Sequence, residues 1–264
     1  MTLDDMRQVI LKDEETKDLK IVDHDVLKVY QYLMDKYDQT EYDGYLPVLI
    51  TSPYIEIVYR PTKEKAYKIK QLKLRKYLSF FDSDIYIQDA SLDDFHVKTE
   101  TRKTAKKAAE QSMSVYLDKK VTKGLYVHGP YGSGKSYLLS AIAASYAFHD
   151  VDVIFTYVPD LIRGFKQGID EGTIEKRMNI LKQTAVLILD DLGGEYHSPW
   201  FRDEILMPLI QYRLSASLPV YVSSNYTLTE LVDVLASGHD EVNRVKALRL
   251  IKRLHDLMTL VKLT

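Results

Sequence analysis

The sequence predicts an α/β protein in which a parallel sheet, covered by helices on both faces, follows a smaller α+β unit. From Gly124 onward, short apolar runs alternate with helical patterns, which is typical of parallel strands that are buried on both faces. Before residue 85, the spacing of apolar residues changes from helical to β-like and back again. A chain of 264 residues has room for both units.

The first unit is expected to form an N-terminal domain over residues 1–85. Its apolar spacing predicts helices over 3–19, 26–37 and 63–80 and strands over 46–50 and 55–59. The two strands flank Thr51, Ser52 and Pro53, which are typical turn residues, so we expect a hairpin at this point.

Residues 86–110 are expected to form a linker, and residues 111–264 are expected to form the second domain. Five strands are predicted in this domain, at 124–128, 153–158, 185–189, 219–223 and 257–263. Helical patterns fill the intervals between these strands. This alternation predicts a parallel five-stranded sheet with helices on both faces.

The charge of the chain is balanced overall but unevenly distributed. The 36 basic and 38 acidic residues give a net charge of −2, which argues against a protein that coats nucleic acid with its whole surface. Residues 1–40 contain six basic and ten acidic residues, whereas residues 60–77 contain eight basic residues and one glutamate. The basic stretch is either a solvated helix face or a contact for a polyanion or a protein partner.

The absence of cysteine excludes disulfide bonds, thiolate metal sites and a cysteine nucleophile. A zinc site is therefore not expected. The chain begins with acidic residues rather than with an apolar segment, and no stretch approaches 18 consecutive apolar residues. We therefore expect a cytoplasmic protein that does not enter a membrane.

A glycine-rich motif follows the first strand of the second domain. The sequence GPYGSGKS at 129–136 matches the pattern G-x-x-x-x-G-K-[ST] and lies between an apolar strand and a helical pattern, as this motif requires. We call residues 129–134 the phosphate loop. Its backbone is expected to surround phosphates, with Lys135 reaching the β- and γ-phosphates and the Ser136 hydroxyl ligating Mg²⁺. The candidate nucleotide-binding residues are Gly129, Pro130, Gly132, Ser133, Gly134, Lys135, Ser136 and Tyr137.

Two later strands end in polar residues. The strand at 185–189 leads into Asp190 and Asp191, and the strand at 219–223 leads into Ser224 and Asn225. At the carboxyl edge of a parallel sheet, Asp190 is expected to hold Mg²⁺ and Asp191 to orient or deprotonate the attacking water. Asn225 is expected to hydrogen-bond this water and the γ-phosphate. Each strand end alone is compatible with an ordinary turn, and only their order after the phosphate loop favours a nucleotide site.

This order of motifs resembles that of the AAA+ ATPases. More narrowly, residues from about 89 to the C-terminus resemble the DnaI/DnaC-type replicative helicase loaders of bacteria. The segments that carry the resemblance are LDDLGGE at 189–195, SPWFRDEIL at 198–206, LIQYR at 209–213, SSN at 223–225 and VKALRLIKR at 245–253.

The resemblance implies an AAA+ core without a C-terminal lid that binds ATP or ADP with Mg²⁺ and hydrolyses ATP. It also implies that the protein loads a hexameric DnaB-type replicative helicase onto single-stranded DNA during primosome assembly. The N-terminal domain would bind the helicase, and the AAA+ domains would form a homo-oligomer. Asn225 corresponds to the sensor 1 residue, and Arg253 corresponds to the arginine finger, with Arg249 one turn earlier. By this resemblance, residues 159–184 would contact DNA, but acidic residues alternate there with basic ones, so a solvated helix face is the alternative.

Three alternatives remain open at this stage. An IstB-like transposition helper ATPase shares the core motifs and would act on double-stranded DNA with a transposase. A small-molecule kinase also uses a phosphate loop, but it needs a substrate lid with clustered arginines. A nucleotide-binding scaffold without turnover is the third alternative, because Asp191 is shorter than the glutamate that is usual at its position.

Overall fold

A computed structural model describes residues 1–38, 42–80, 87, 89–194, 198–236 and 240–264, without the side chains of residues 70, 71, 73–80, 170 and 171. The chain divides into two compact units, Met1–Leu72 and Lys73–Thr264. The boundary therefore lies earlier than the expected position at residue 85. In the described ranges, no helix combines the length and the apolar character that are needed to cross a membrane.

The first unit contains a helix pair and a hairpin. Its elements are α1 (Leu3–Ile10), α2 (Asp23–Tyr37), β1 (Tyr45–Ile50), β2 (Glu56–Pro61) and the start of α3 (Lys63–Tyr77). The strands β1 and β2 pair in antiparallel register, with Leu49 opposite Ile57, which confirms the predicted hairpin. Both side chains pack against a small core that is centred on Val26 and Leu33 of α2.

The first helix ends earlier than the sequence predicts. Apolar spacing indicated a helix over 3–19, but α1 ends at Ile10 and turns follow it. The buried carboxylate of Asp13 accepts a hydrogen bond from the backbone N–H of Glu15 at 2.9 Å. The hydroxyl of Thr16 donates to the carbonyl of Ile10 at 2.8 Å. These side chains satisfy backbone groups that a longer helix would otherwise pair, and the helix stops there.

The second unit is built on a six-stranded parallel sheet in the described part of the chain. Its strands are β3 (Leu78–Phe80), β4 (Gly124–His128), β5 (Val153–Tyr157), β6 (Val186–Asp190), β7 (Val220–Ser224) and β8 (Met258–Lys262), in the spatial order β3-β5-β6-β7-β4-β8. All of these strand pairs are parallel. The five predicted strands are therefore confirmed.

Helices cover both faces of this sheet. They are α4 (Glu100–Leu117), α5 (Lys135–Phe148), α6 (Val158–Glu171), α7 (Ile174–Gln183), a π-helix (Phe201–Leu206), α8 (Met207–Ser215), α9 (Leu228–Ala236) and α10 (Glu241–Leu257). Alternate residues of β6 enter two different cores, since Leu187 packs in one and Ile188 packs in the other. The continuous apolar run of β6 follows from this double burial.

Two expectations differ from the structure before β4. The helix expected over 63–80 ends at Tyr77, and β3 adds a sixth strand by pairing with β5. The expected linker at 86–110 is not a free linker. Ala90, Phe95, Ala105 and Ala109 are buried, and the last three pack in the core between α4, α5 and the sheet.

The strand order determines where the loops of the second unit meet. Since β7 lies between β4 and β6, residues that follow these three strands are neighbours at one edge of the sheet. The described residues beyond β7 form α9, α10 and β8. Because α10 packs on α8 and α9, and β8 joins the sheet, residues 240–264 belong to the core rather than to a lid.

A buried arginine stabilises the opposite edge of the sheet, where β6 and β7 begin. Arg213 of α8 is fully buried, and its guanidinium donates hydrogen bonds to backbone carbonyls in the last turn of α7, just after α7 and just before β7. The acceptors include Leu181 at 2.9 Å, Thr184 at 2.9 Å and Pro219 at 2.8 Å. Burial lowers the pKa of Arg213 to about 9.

We expect Arg213→Met to lower the free energy of unfolding of the second unit by about 3 kcal/mol, because several buried carbonyls lose their donor. The fluorescence of Trp200, the only tryptophan of the chain, reports this transition during urea unfolding. Tyr212→Phe, which keeps the exposed neighbouring ring, is the matched control. An unchanged midpoint for Arg213→Met would show that the guanidinium does not hold this edge together.

Candidate nucleotide-binding site

A cavity of about 390 Å³ lies at the carboxyl edge of the sheet. Its walls are the phosphate loop, the first turn of α5 and the ends of β5, β6 and β7. The strand order therefore brings together the motifs that the sequence placed on separate strands. The volume lies in the range of small-molecule sites, which is about 300–1,000 Å³.

The phosphate loop has the backbone geometry that its glycines allow. Gly134 has a φ of +94°, which is a conformation that residues with a side chain rarely adopt, and α5 begins directly after it at Lys135. The N-terminus of α5 therefore faces the cavity with unpaired backbone N–H groups and the positive end of the helix dipole. This arrangement favours an anion.

Lys135 is buried at the centre of the site. Its Nζ donates to the carbonyls of Gly129 and Pro130, both at 3.0 Å, and to Oδ1 of Asn225 at 2.8 Å. Burial lowers the pKa of Lys135, and the carboxylates of Asp190 and Asp191 oppose this shift. The ammonium is thus held by neutral oxygens that anionic phosphates would replace favourably.

Asp190 is the last residue of β6, and it is 1% exposed. The hydroxyl of Ser223 donates to its Oδ1 at 2.5 Å, and the side chain of Ser136 also hydrogen-bonds to it. Burial raises the pKa of Asp190, although these two hydroxyls and Lys135 favour the ionised form. A buried carboxylate in such a cleft is a candidate functional group.

Asp191 follows in a strained backbone conformation, with a φ of +62°. Its carboxylate accepts hydrogen bonds from Nδ2 of Asn225 at 3.2 Å and from the hydroxyl of Tyr157 at 3.3 Å. Gly194 leaves room for this position of the carboxylate, because a Cβ there would lie 2.1 Å from Oδ2 of Asp191 and the carboxylate would have to move. The carboxylate is therefore fixed at the mouth of the cavity by the ends of β5 and β7.

The residues at this edge fit a Mg²⁺ ion that binds together with phosphate oxygens. Mg²⁺ prefers oxygen ligands, and in nucleotide sites it is held by one or two protein groups, the phosphates and water. Asp190 and Ser136 supply one carboxylate and one hydroxyl that are already in contact. The described residues contain no cluster of three or more metal-ligating side chains, so this fit depends on the nucleotide.

The predicted site residues fall into three groups. Gly132, Gly134, Lys135, Ser136 and Tyr137 line the cavity together with Asp190, Asp191 and Asn225. Gly129 and Pro130 instead hold Lys135 through their carbonyls, and Ser133 directs its carbonyl towards Arg102 of α4.

Arg253 does not line the cavity of its own chain. Its guanidinium contacts the side chain of Gln211 on α8 and the carbonyl of Arg249, the latter at 3.2 Å. Both arginines lie on α10, where Arg249 is exposed and Arg253 is half-buried.

Sequence reasoning missed several residues of the site. Tyr157 lines the cavity and ends β5, so its polar position at the carboxyl end of a predicted strand was a usable signal. Ser223 was part of a quoted motif without a role, and the structure places it on Asp190. The 95% exposed Tyr131 of the phosphate loop also lines the cavity, as does Ile87, which no pattern in the sequence marked.

The fold and the site together define a phosphate-loop ATP-binding protein with an AAA+ core. A family model described as "IstB-like ATP binding protein" matches residues 62–257. The chain belongs to this family and, by its similarity to DnaI along almost its whole length, to the DnaI/DnaC-type helicase loaders.

Individual relatives agree with this assignment. The chain is 30% identical over 275 residues to the "Replicative helicase loader DnaI" of Bacillus subtilis (strain 168), with 98% of this chain and 87% of that protein covered. The crystal structure of DnaI matches this chain with a TM-score of 0.66 at 35% identity, and the match covers 72% of this chain and 98% of that one. The "Insertion sequence IS5376 putative ATP-binding protein" of Geobacillus stearothermophilus is 24% identical over 162 residues, which cover 61% of this chain and 58% of that protein.

We expect Asp190→Asn to raise the melting temperature of the nucleotide-free protein at pH 7.5, because the neutral amide avoids the cost of burying a carboxylate. Since the pKa of Asp190 is raised in the folded state, its ionised form costs stability above that pKa, and the cost disappears below the unfolded pKa. The gain in melting temperature should therefore shrink as the pH falls towards 4. Scanning calorimetry between pH 7.5 and pH 4 measures this difference in melting temperature between the variant and the wild type.

The matched control is Asp233→Asn, which removes an exposed carboxylate that pairs with Arg244 on the surface. This variant should show no comparable gain at pH 7.5. A lower melting temperature for Asp190→Asn at every pH would contradict the view that this carboxylate is held in place at the expense of stability.

Proposed function

We propose that the protein is an ATP-dependent loader that places a ring-shaped DnaB-type replicative helicase on single-stranded DNA during primosome assembly. The observation that carries this proposal is the hydrogen-bonded series Lys135–Asn225–Asp191 across the cavity. This series links a phosphate-binding cation to a carboxylate that can orient water. The similarity to a replicative helicase loader over 98% of the chain supports the choice of process.

The reaction that the site supports is the hydrolysis of ATP to ADP and phosphate. Lys135 neutralises charge on the β- and γ-phosphates, and the N–H groups at the start of α5 bind phosphate oxygens. Ser136 and Asp190 would hold Mg²⁺, which would supply positive charge to these phosphate oxygens. Asp191 and Asn225 orient the attacking water, and Asp191 accepts its proton.

Arg253 is proposed to act on the nucleotide of a neighbouring copy of the chain. Its contacts with Gln211 and Arg249 lie on the α8–α10 surface and outside its own cavity. An arginine that is supplied in trans stabilises the transition state only after assembly, so hydrolysis would depend on the oligomer.

The two macromolecular partners are assigned to different parts of the chain. The N-terminal unit is proposed to hold the helicase, and α6 and α7 are proposed to contact single-stranded DNA. On these helices, Lys166 and Lys176 are exposed, whereas Arg163 contacts Asp160 and Arg177 donates to the hydroxyl of Thr173. DNA binding by these lysines would depend on salt but not on sequence.

An IstB-like helper of transposition is the second candidate. The family match at 62–257 and the insertion-sequence relative favour it, but the family match leaves out most of the first unit, and the relative covers only 61% of the chain. A preference for double-stranded over single-stranded DNA in a mobility-shift assay would favour this candidate. Helicase binding through residues 1–72 would favour the loader.

We expect the protein to increase unwinding by the replicative helicase of the same organism on single-stranded circular DNA with an annealed oligonucleotide. Lys135→Ala should remove this stimulation and lower ATP hydrolysis by about 100-fold or more, because a phosphate-binding cation is lost. Lys103→Ala is the matched control, since Lys103 is exposed and pairs only with Glu100 among the described contacts. Equal stimulation by Lys135→Ala and wild type would contradict an ATP-dependent loader.

We expect Arg253→Ala to bind ATP as tightly as wild type but to hydrolyse it on the order of 10³-fold more slowly. Mixing it with Lys135→Ala should restore part of the activity. In mixed oligomers, the first variant supplies a complete cavity and the second supplies Arg253. A steady-state phosphate-release assay measures this complementation. Activity of the mixture equal to the sum of the two variants would show that Arg253 does not act between chains.

A further inference from the structure

The first turn of α4 lies beside the phosphate loop, outside the nucleotide cavity. We propose that Arg102, in this turn, is a positioning residue that holds the phosphate loop in the conformation required for a triphosphate. This inference rests on the ATP binding proposed above. It adds a residue from the segment that the sequence had suggested to be a linker.

Arg102 bridges two backbone carbonyls that are distant in sequence. Its Nη1 donates to the carbonyl of Ser133 in the phosphate loop at 2.5 Å, and its Nε donates to the carbonyl of His96 at 2.5 Å. Thr99, the N-cap of α4, accepts a hydrogen bond from the backbone N–H of Arg102 at 3.3 Å. The guanidinium is therefore held between the carbonyls of His96 and Ser133, and Thr99 caps the helix that carries it.

The contact with Ser133 determines the direction of the next N–H group in the loop. The peptide that joins Ser133 to Gly134 is planar and trans, so its N–H points away from its carbonyl. Because Arg102 holds the carbonyl on the outer side, the N–H of Gly134 points to the opposite side. Gly134 itself lines the cavity, and this N–H is a donor for a phosphate oxygen.

A stack of aromatic rings fixes the plane of the guanidinium. Arg102 lies over the ring of Phe95, 4.4 Å from its centroid, and Phe95 is 2% exposed. Phe95 stacks in turn on Tyr137, with centroids 6.1 Å apart and an angle of 28° between the rings. Since Tyr137 is part of the cavity wall, the stack connects Arg102 to the same site by a second route.

A lysine at this position would not reproduce the arrangement. The planar guanidinium has donors that point in fixed, diverging directions and a flat face for the ring of Phe95. An ammonium is a compact charge without this face. Arg102→Lys therefore keeps the charge and removes the geometry, which separates positioning from general electrostatics.

The test measures the dissociation constants of the full chain for a fluorescent ATP analogue and, by competition, for ATP and adenosine. We expect Arg102→Met and Arg102→Lys each to weaken ATP binding by about tenfold, which corresponds to about 1.4 kcal/mol, with adenosine binding unchanged. The adenosine measurement separates loop positioning from a loss of structure, which would weaken both ligands. Lys103→Met, on the exposed side of the same turn, should bind both ligands like wild type.

Wild-type affinity for ATP in both Arg102 variants would overturn the proposal. So would an equal loss of ATP and adenosine binding, because that result indicates a structural role for the whole domain. Failure of the wild-type protein itself to bind ATP would instead overturn the proposed function. Lys135→Met, measured in parallel, identifies the binding as that of the phosphate loop.

Discussion

The buried ammonium of Lys135 is the interaction on which the rest of the site depends. An ammonium that leaves water must be hydrogen-bonded, and here it is bonded by two carbonyls of the phosphate loop and by the side-chain oxygen of Asn225. The strand order makes this possible, because β7 lies between the strand before the loop and the strand that ends in Asp190. One cation thus connects the loops that follow β4 and β7, and Asn225 extends the connection to Asp191.

The π-helix that follows β6 contacts the helix that carries Arg253. Arg202, in the π-helix that follows β6, is fully buried and donates to the carbonyl of Leu235 at 3.0 Å and to Oδ1 of Asn243 at 2.8 Å. Its neighbour Asp203 accepts a hydrogen bond from Lys246 of α10 at 2.8 Å. The π-helix is therefore in direct contact with the first turns of α10.

The sequence predicts those parts of the molecule whose structure depends on residues that are close together in the chain. The phosphate loop is a short contiguous motif, and the buried strands of a parallel sheet are continuous apolar runs, so both could be predicted. The pairing of β3 with β5 could not, because it depends on a free sheet edge elsewhere in the chain. Phe95 and Arg102 lay in a segment with few apolar residues, and only the fold shows that this segment packs against α5 and the phosphate loop.

The most direct test of the account is a crystal structure of the full chain with a non-hydrolysable ATP analogue and Mg²⁺. We expect the phosphates of the analogue to lie between the phosphate loop and the end of β6. Nζ of Lys135 should contact phosphate oxygens instead of the carbonyls of Gly129 and Pro130. The side chain of Asn225 should lie beside the γ-phosphate. A nucleotide bound elsewhere, or a Lys135 that keeps its carbonyl contacts beside a bound triphosphate, would contradict the central claim.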